Sequence, residues 1–132
     1  MTRLWTEEHK LKIWFDVELA AVQGWAKVGV VPEEAAAHIR EHAVLDPARV
    51  AEIERVTRHD VAAFVQSLGE AVGGEYGRWI HFGMTSSDVL DTALAVILRD
   101  AADVLLADID ALMAAIERRA FEHRDTPMIG RS

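Results

Sequence analysis

The sequence has 132 residues, enough for one domain with one hydrophobic core. Hydrophobic residues make up 51% and charged residues 27%, with three prolines, which excludes a disordered chain; the absence of cysteine excludes disulfides and thiol chemistry. A formal net charge of −8 excludes the basic face that non-specific binding to DNA or RNA requires, so any anion site must be local.

Met1 to Lys12 is charged and lacks the apolar stretch of a signal peptide. The longest apolar runs, such as Ala93 to Leu98, are too short to cross a bilayer. A cytoplasmic protein is expected, with no membrane or nucleic-acid partner. Thr6 is a suitable N-cap for a first helix, and Glu7 and Glu8 suit the positive end of its dipole. Leu11, Trp14, Phe15, Val22 and Trp25 recur at helical spacing, and Gly29 is a natural stop. Pro32 opens a second helix that runs to about His42. Asp46-Pro47, cap then proline, opens a third that runs to about Val56. A fourth follows Asp60, the expected N-cap, and ends at Gly73-Gly74. A loop rich in aromatics and glycine spans Glu75 to Met84. The expected fold is all-α, without strands or internal repeats.

Thr85 and Asp88 have the spacing of a capping box, and nothing breaks the helix that follows until Asp125-Thr126-Pro127. That is ~36 residues, or ~54 Å at the α-helical rise. A domain of this size has a diameter of only ~36 Å, so the helix is expected to overhang its globule. Between Val89 and Ile116 roughly three quarters of the residues are apolar. Leu90, Leu94, Ile97, Ala101 and Val104 form one stripe; Leu98, Ala102, Leu105, Ile109, Leu112 and Ile116 form another. A helix apolar on two faces needs neighbours on two sides. Either copies of this chain supply them, or helices beyond residue 132 do. The domain division that follows is 1–84, an N-terminal helical domain, and 85–132, the first long helix of a central bundle.

Two segments concentrate polar groups at helix starts. The first is Thr57-Arg58-His59-Asp60-Val61. Arg58 can grip a phosphate or carboxylate through two hydrogen bonds, His59 can move protons, and free backbone N–H groups can hold an anion. The plain reading of the same residues is an Asp60 cap beside a solvated Arg-His pair. The second is His81-Phe82-Gly83-Met84-Thr85-Ser86-Ser87-Asp88. Three hydroxyls at one helix start exceed what a cap needs, and a carboxylate placed there would also meet the positive end of the dipole. A capping box with spare serines is again the plain reading. His38 and His42 have metal-ligand spacing, but no third ligand follows in a zinc pattern, and no metal is expected. Trp5, Trp14, Trp25 and Trp79 read as core or interface anchors, and His9 and His123 as surface residues at helix ends.

The two segments together resemble the first two landmarks of the adenylosuccinate lyase family, within the fumarase/aspartase superfamily. The tail Thr126-Pro127-Met128-Ile129-Gly130-Arg131-Ser132 resembles the start of a third. Leu4-Trp5-Thr6-Glu7-Glu8 and the helix through Trp14 and Trp25 are similar too, so the resemblance spans essentially the whole chain. It implies elimination of fumarate from adenylosuccinate and from the succinyl-carboxamide ribotide of purine synthesis, without a cofactor. It implies that Arg58, His59 and Asp60 contact the nucleotide, with His59 assisting proton handling. Thr85 and Ser86 bind substrate, and His81 lies near the phosphate or ribose. It further implies a homotetramer whose active sites draw on three subunits. The family's main acid, a histidine, falls just past Ser132, and its base, a serine on a flexible loop, falls much further on. The Arg-Tyr pair that precedes the family's first helix is not found here. The expectation is an N-terminal portion of the enzyme, inactive alone. The competing readings are a non-catalytic helical module that associates through its long helix, and another lyase or cycloisomerase of the superfamily.

Overall fold

The first helix, α1, spans Glu7–Lys27 in a computed structural model that describes residues 1–131. Thr6 caps it by accepting from the His9 N–H at 3.2 Å, and the chain turns away at Gly29 with φ of 76°. Helix α2 (Glu33–His42) starts one residue after Pro32, which is its N-cap, whereas α3 (Pro47–Thr57) starts at its proline. The Asp46 carboxylate accepts from the Ala48 and Arg49 N–H groups. Helix α4 spans Asp60–Val72 and α5 spans Ser86–Glu122. Short 3-10 turns lie at Thr2–Trp5 and Gly77–Trp79, and the described residues contain no strand. Ser132, the last residue of the expected third landmark, lies outside the described residues.

The core forms where α1 to α4 pack together and the first half of α5 lies along α1. Phe64 of α4 stands edge-on to Trp14 of α1, ring centres 5.4 Å apart, and Leu11, Ile39 and Leu68 close around them. Trp79 and Trp25 are half-buried, whereas Trp5 is exposed rather than part of a core. His9 also departs from expectation. It is half-buried, and its Nε2 is sealed from solvent with no hydrogen-bond partner. The His38 and His42 rings stack at 3.9 Å instead of converging on a common point, and each has a ring nitrogen facing a backbone carbonyl.

Helix α5 has 37 residues, about 55 Å at the standard rise. Its buried line is Val89, Ala93, Ile97 and Ala101, one residue per turn against α1. The expected first stripe is therefore only partly sunk: Ile97 and Ala101 are buried, but Leu94 remains 48% exposed because it lies a quarter turn off the contact line. Beyond Ala101 no residue of α5 is buried. The second stripe is open, with Leu98, Leu105, Ile109, Leu112 and Ile116 each half exposed or more. No helix of the described residues is long and apolar enough to cross a membrane.

An unpacked half-helix of this kind is marginal in water, and an apolar stripe several turns long is an interface or an aggregation liability. In dilute solution the amides of Leu105 to Ile116 are expected to exchange faster than those of Val89 to Ala101. On concentration the chain is expected to self-associate, and Leu105→Lys with Leu112→Lys to abolish this. Sedimentation combined with hydrogen exchange checks it; a concentrated monomer with Leu105 to Ile116 fully protected contradicts it.

Candidate functional site

Helices α4 and α5 begin beside each other, joined through one pair of side chains. Ser86 Oγ, in the first turn of α5, lies 3.3 Å from Nε2 of His59. His59, not Asp60, is the N-cap of α4: its backbone is extended, and Nδ1 accepts from the Ala62 N–H at 3.3 Å. Asp60 is already helical, and its carboxylate accepts from the Val61 N–H at 2.7 Å, 3.5 Å from His59 Nδ1. Because Nδ1 is an acceptor in this arrangement, the ring proton of neutral His59 sits on Nε2. The imidazole thus presents an N–H to Ser86 and to whatever lies at the mouth of α5.

At that mouth Thr85 is the N-cap. The Asp88 carboxylate accepts from the Thr85 N–H at 2.7 Å and from the Thr85 hydroxyl at 3.2 Å. Thr85 is thereby occupied locally, which leaves Ser86 as the hydroxyl turned toward α4. Two helix N-termini meet here, so the positive ends of two dipoles and the His59 N–H act on the same small volume.

The turn before α5 carries the strain of aiming it. His81 has φ of 63° and Gly83 φ of 71°, both left-handed, which a non-glycine residue enters only with support. Helix α1 supplies that support at two points. Glu18, 1% exposed, accepts the His81 backbone N–H on Oε2 at 2.7 Å, and its Oε1 lies 2.7 Å from His81 Nδ1. Trp25 Nε1–H donates to the Phe82 carbonyl at 3.0 Å. A Cβ at Gly83 would stand 3.0 Å from the Trp25 ring, so glycine serves both the backbone angle and the close approach. Burial pushes the Glu18 carboxyl above its usual range, and its bonds to His81 pull it part of the way back.

Of the residues expected at the site, the structure thus gathers His59, Asp60, Thr85 and Ser86. Arg58 stands apart. It closes α3 in the left-handed region with φ of 56° and lines a shallow depression with Ala51, Glu54 and Arg55. His81 is anchored inward on Glu18, a residue not singled out from the sequence. Its signal was there: Glu18 falls on the buried stripe of α1, seven residues from both Leu11 and Trp25, where a lone carboxylate demands a partner.

The model of a lyase family matches residues 1–132. The chain belongs to this lyase family. It is 49% identical to the adenylosuccinate lyase of Aquifex aeolicus and 43% identical to that of Bacillus subtilis, in each case over 100% of this chain and 31% and 30% of the relative. The chain spans about 30% of the length of the curated relatives it matches. Among solved structures it is similar to a fumarate lyase from Mesorhizobium, with a TM-score of 0.90 and 28% identity over 99% of this chain and 31% of that one. It is likewise similar to the 3-carboxy-cis,cis-muconate lactonizing enzyme of Pseudomonas putida, with a TM-score of 0.89 and 31% identity over 99% of this chain and 31% of that one. The lyase relationship accords with the all-α fold.

His59 has a structural role separable from any chemical one. His59→Ala is expected to cost about 0.5–2 kcal/mol through loss of the α4 cap. His59→Asn, a strong cap, is expected to keep wild-type stability. Denaturant unfolding of the two variants checks this; equal losses would show that the ring does not cap α4.

Proposed function

We propose that this chain forms the N-terminal part of an adenylosuccinate lyase, eliminating fumarate from adenylosuccinate to leave AMP, and from succinyl-aminoimidazole-carboxamide ribotide in the same way. The observation that carries this reading is the contact of His59 with Ser86, which joins the starts of α4 and α5; we take the mouth between them as the place that binds the anion. Similarity favours this lyase over other chemistries of the superfamily. Identity to adenylosuccinate lyases is 38–49% over the whole chain, against 28–31% for the fumarate lyase and the lactonizing enzyme.

The reaction takes a proton from the carbon next to a carboxylate. The electron pair left behind is delocalised into that carboxylate, then forms the fumarate double bond as the C–N bond breaks, and the departing nitrogen takes up a proton. The transition state carries extra negative charge on the carboxylate. In this reading Ser86 Oγ–H and the N-terminus of α5 hold that charge, and their bonds gain strength as it develops. His59 Nε2–H donates from the α4 side and assists proton handling. Asp60, its carboxylate held on the Val61 N–H beside the imidazole, contacts the nucleotide. Thr85 keeps the mouth in shape through Asp88, and Arg58 and His81 reach the nucleotide from the periphery. No cofactor enters this scheme.

With about 30% of the relatives' length present, we assign these residues binding and auxiliary roles and place the principal acid and base elsewhere in the enzyme. Residues 85–132 then begin a central helical bundle and 1–84 form a domain leading into it. The open stripe on α5 is covered in a cytoplasmic homotetramer.

In a full-length lyase containing this segment, His59→Ala is expected to lower mainly kcat. Ser86→Ala removes one donor to a charged group, worth ~1–3 kcal/mol or ~5- to 150-fold in kcat/KM. The purified 132-residue chain is expected to release no fumarate from adenylosuccinate. Steady-state absorbance assays decide all three. Wild-type kinetics in both variants, or turnover that scales with the concentration of the short chain, would overturn the assignment.

A further inference from the structure

Among the described residues Glu18 is the one carboxylate buried in the core, and it sits 63 residues from its partner. Two donors of the same residue, the backbone N–H and the ring nitrogen of His81, reach its two oxygens at 2.7 Å each. Both distances are those of well-formed N–H···O bonds, and an ionised Glu18 accepts on both oxygens. A carboxylate can only accept, so the ring nitrogen against it must carry the proton. That assigns Nδ1–H and leaves Nε2 as the nitrogen on the outer edge of the ring. The His81 side chain is 23% exposed, so a ligand can reach that edge. Among the described residues no other charged group pairs with Glu18 or with His81.

We infer that Glu18 is a positioning residue of the site: it fixes His81 in the Nδ1–H form and the left-handed turn, and so presents Nε2 to the substrate. The catalytic part of this inference rests on the lyase reading; the part about the ring does not. Neutral His81 offers a lone pair at Nε2. When Nε2 gains a proton, the imidazolium neutralises the buried carboxylate, and the ring offers an N–H to an anionic group. Without Glu18 neither the tautomer nor the ring orientation is set. Structural support for the turn alone would demand less. Any side chain that accepts from the His81 N–H would then serve.

Glu18→Gln separates the two roles because it is isosteric. The His81 backbone N–H can only donate, so the glutamine oxygen must turn to it. The glutamine NH2 then faces Nδ1, which must give up its proton, and the proton moves to Nε2. The experiment is a ¹⁵N–¹H correlation spectrum of the histidine rings in the 132-residue chain near neutral pH. The expected result is protonated Nδ1 at His81 in the wild type and protonated Nε2 with bare Nδ1 in Glu18→Gln. Bare Nδ1 in the wild type, or one tautomer in both proteins, overturns the inference. The wild-type spectrum decides alone if the variant does not fold.

The same substitution in a full-length lyase containing this segment is expected to lower kcat/KM by about tenfold or more, and to alter its pH profile, at an unchanged unfolding midpoint. An active wild-type enzyme whose Glu18→Gln variant matches it in kcat, KM and pH profile overturns the positioning role and leaves the lyase reading standing. A full-length wild type that releases no fumarate overturns the lyase reading, and the ring spectra then still decide what Glu18 does to His81.

Discussion

A carboxylate sealed inside a helical core is costly unless hydrogen bonds replace its lost water. Glu18 meets that demand with both oxygens, and both partners belong to His81. The pairing is therefore a constraint on the chain as well as a compensation for burial. It holds a non-glycine residue at φ of 63°, and two residues later Gly83 completes the reversal against the face of Trp25. The reversal delivers Thr85 to the start of α5 with the orientation that puts Ser86 next to His59. The mouth between α4 and α5 is thus aimed from α1, by a contact of long sequence separation rather than by the loop itself. Removing the carboxylate leaves the His81 N–H without its acceptor, a cost of about 1–3 kcal/mol for an unsatisfied donor.

The helix starts were legible because each is written in local chemistry. Thr6, Asp46-Pro47 and Thr85 with Asp88 need only their own backbone to act, so the sequence within four residues suffices. The expected bounds of α3 and α5 differ from the observed ones by about a residue at most starts and ends. His59 escaped because aspartate is the commoner cap and stands beside it; only the fold shows the imidazole turned back over Ala62. Glu18 escaped because its partner lies on a different element, although its place on an apolar stripe marked it as needing one. Arg58 adjoins His59 in sequence, but it is itself the left-handed residue that ends α3, and it lies beside Ala51, Glu54 and Arg55, a placement that only the fold shows.

Helix α5 carries two environments on one continuous backbone. Its first four turns are part of the core, with Val89 fully buried, and its N-terminus is the floor of the candidate site. Its last turns expose leucines and isoleucines at core spacing. Local composition foretells this, since roughly three quarters of the residues between Val89 and Ile116 are apolar on a helix longer than the globule is wide. Which side would be covered was not legible, and Leu94 shows why. A change of a quarter turn in the line of contact with α1 decides whether a leucine is core or surface. A rigid helix with a polar mouth at one end and an apolar stripe at the other also links the two features mechanically: whatever packs on the stripe fixes the axis along which Ser86 approaches His59.

Native-state amide exchange at His81 tests the central constraint most directly. A loop N–H with no partner exchanges at rates set by local opening, whereas one bonded to a buried carboxylate opens only when the core does. The His81 amide is expected to exchange as slowly as the core amides of α1 around Glu18, and far more slowly than that of Glu75 in the same loop. Exchange at His81 as fast as at Glu75 would mean that Glu18 does not hold the turn, and that the mouth between α4 and α5 is aimed by something else.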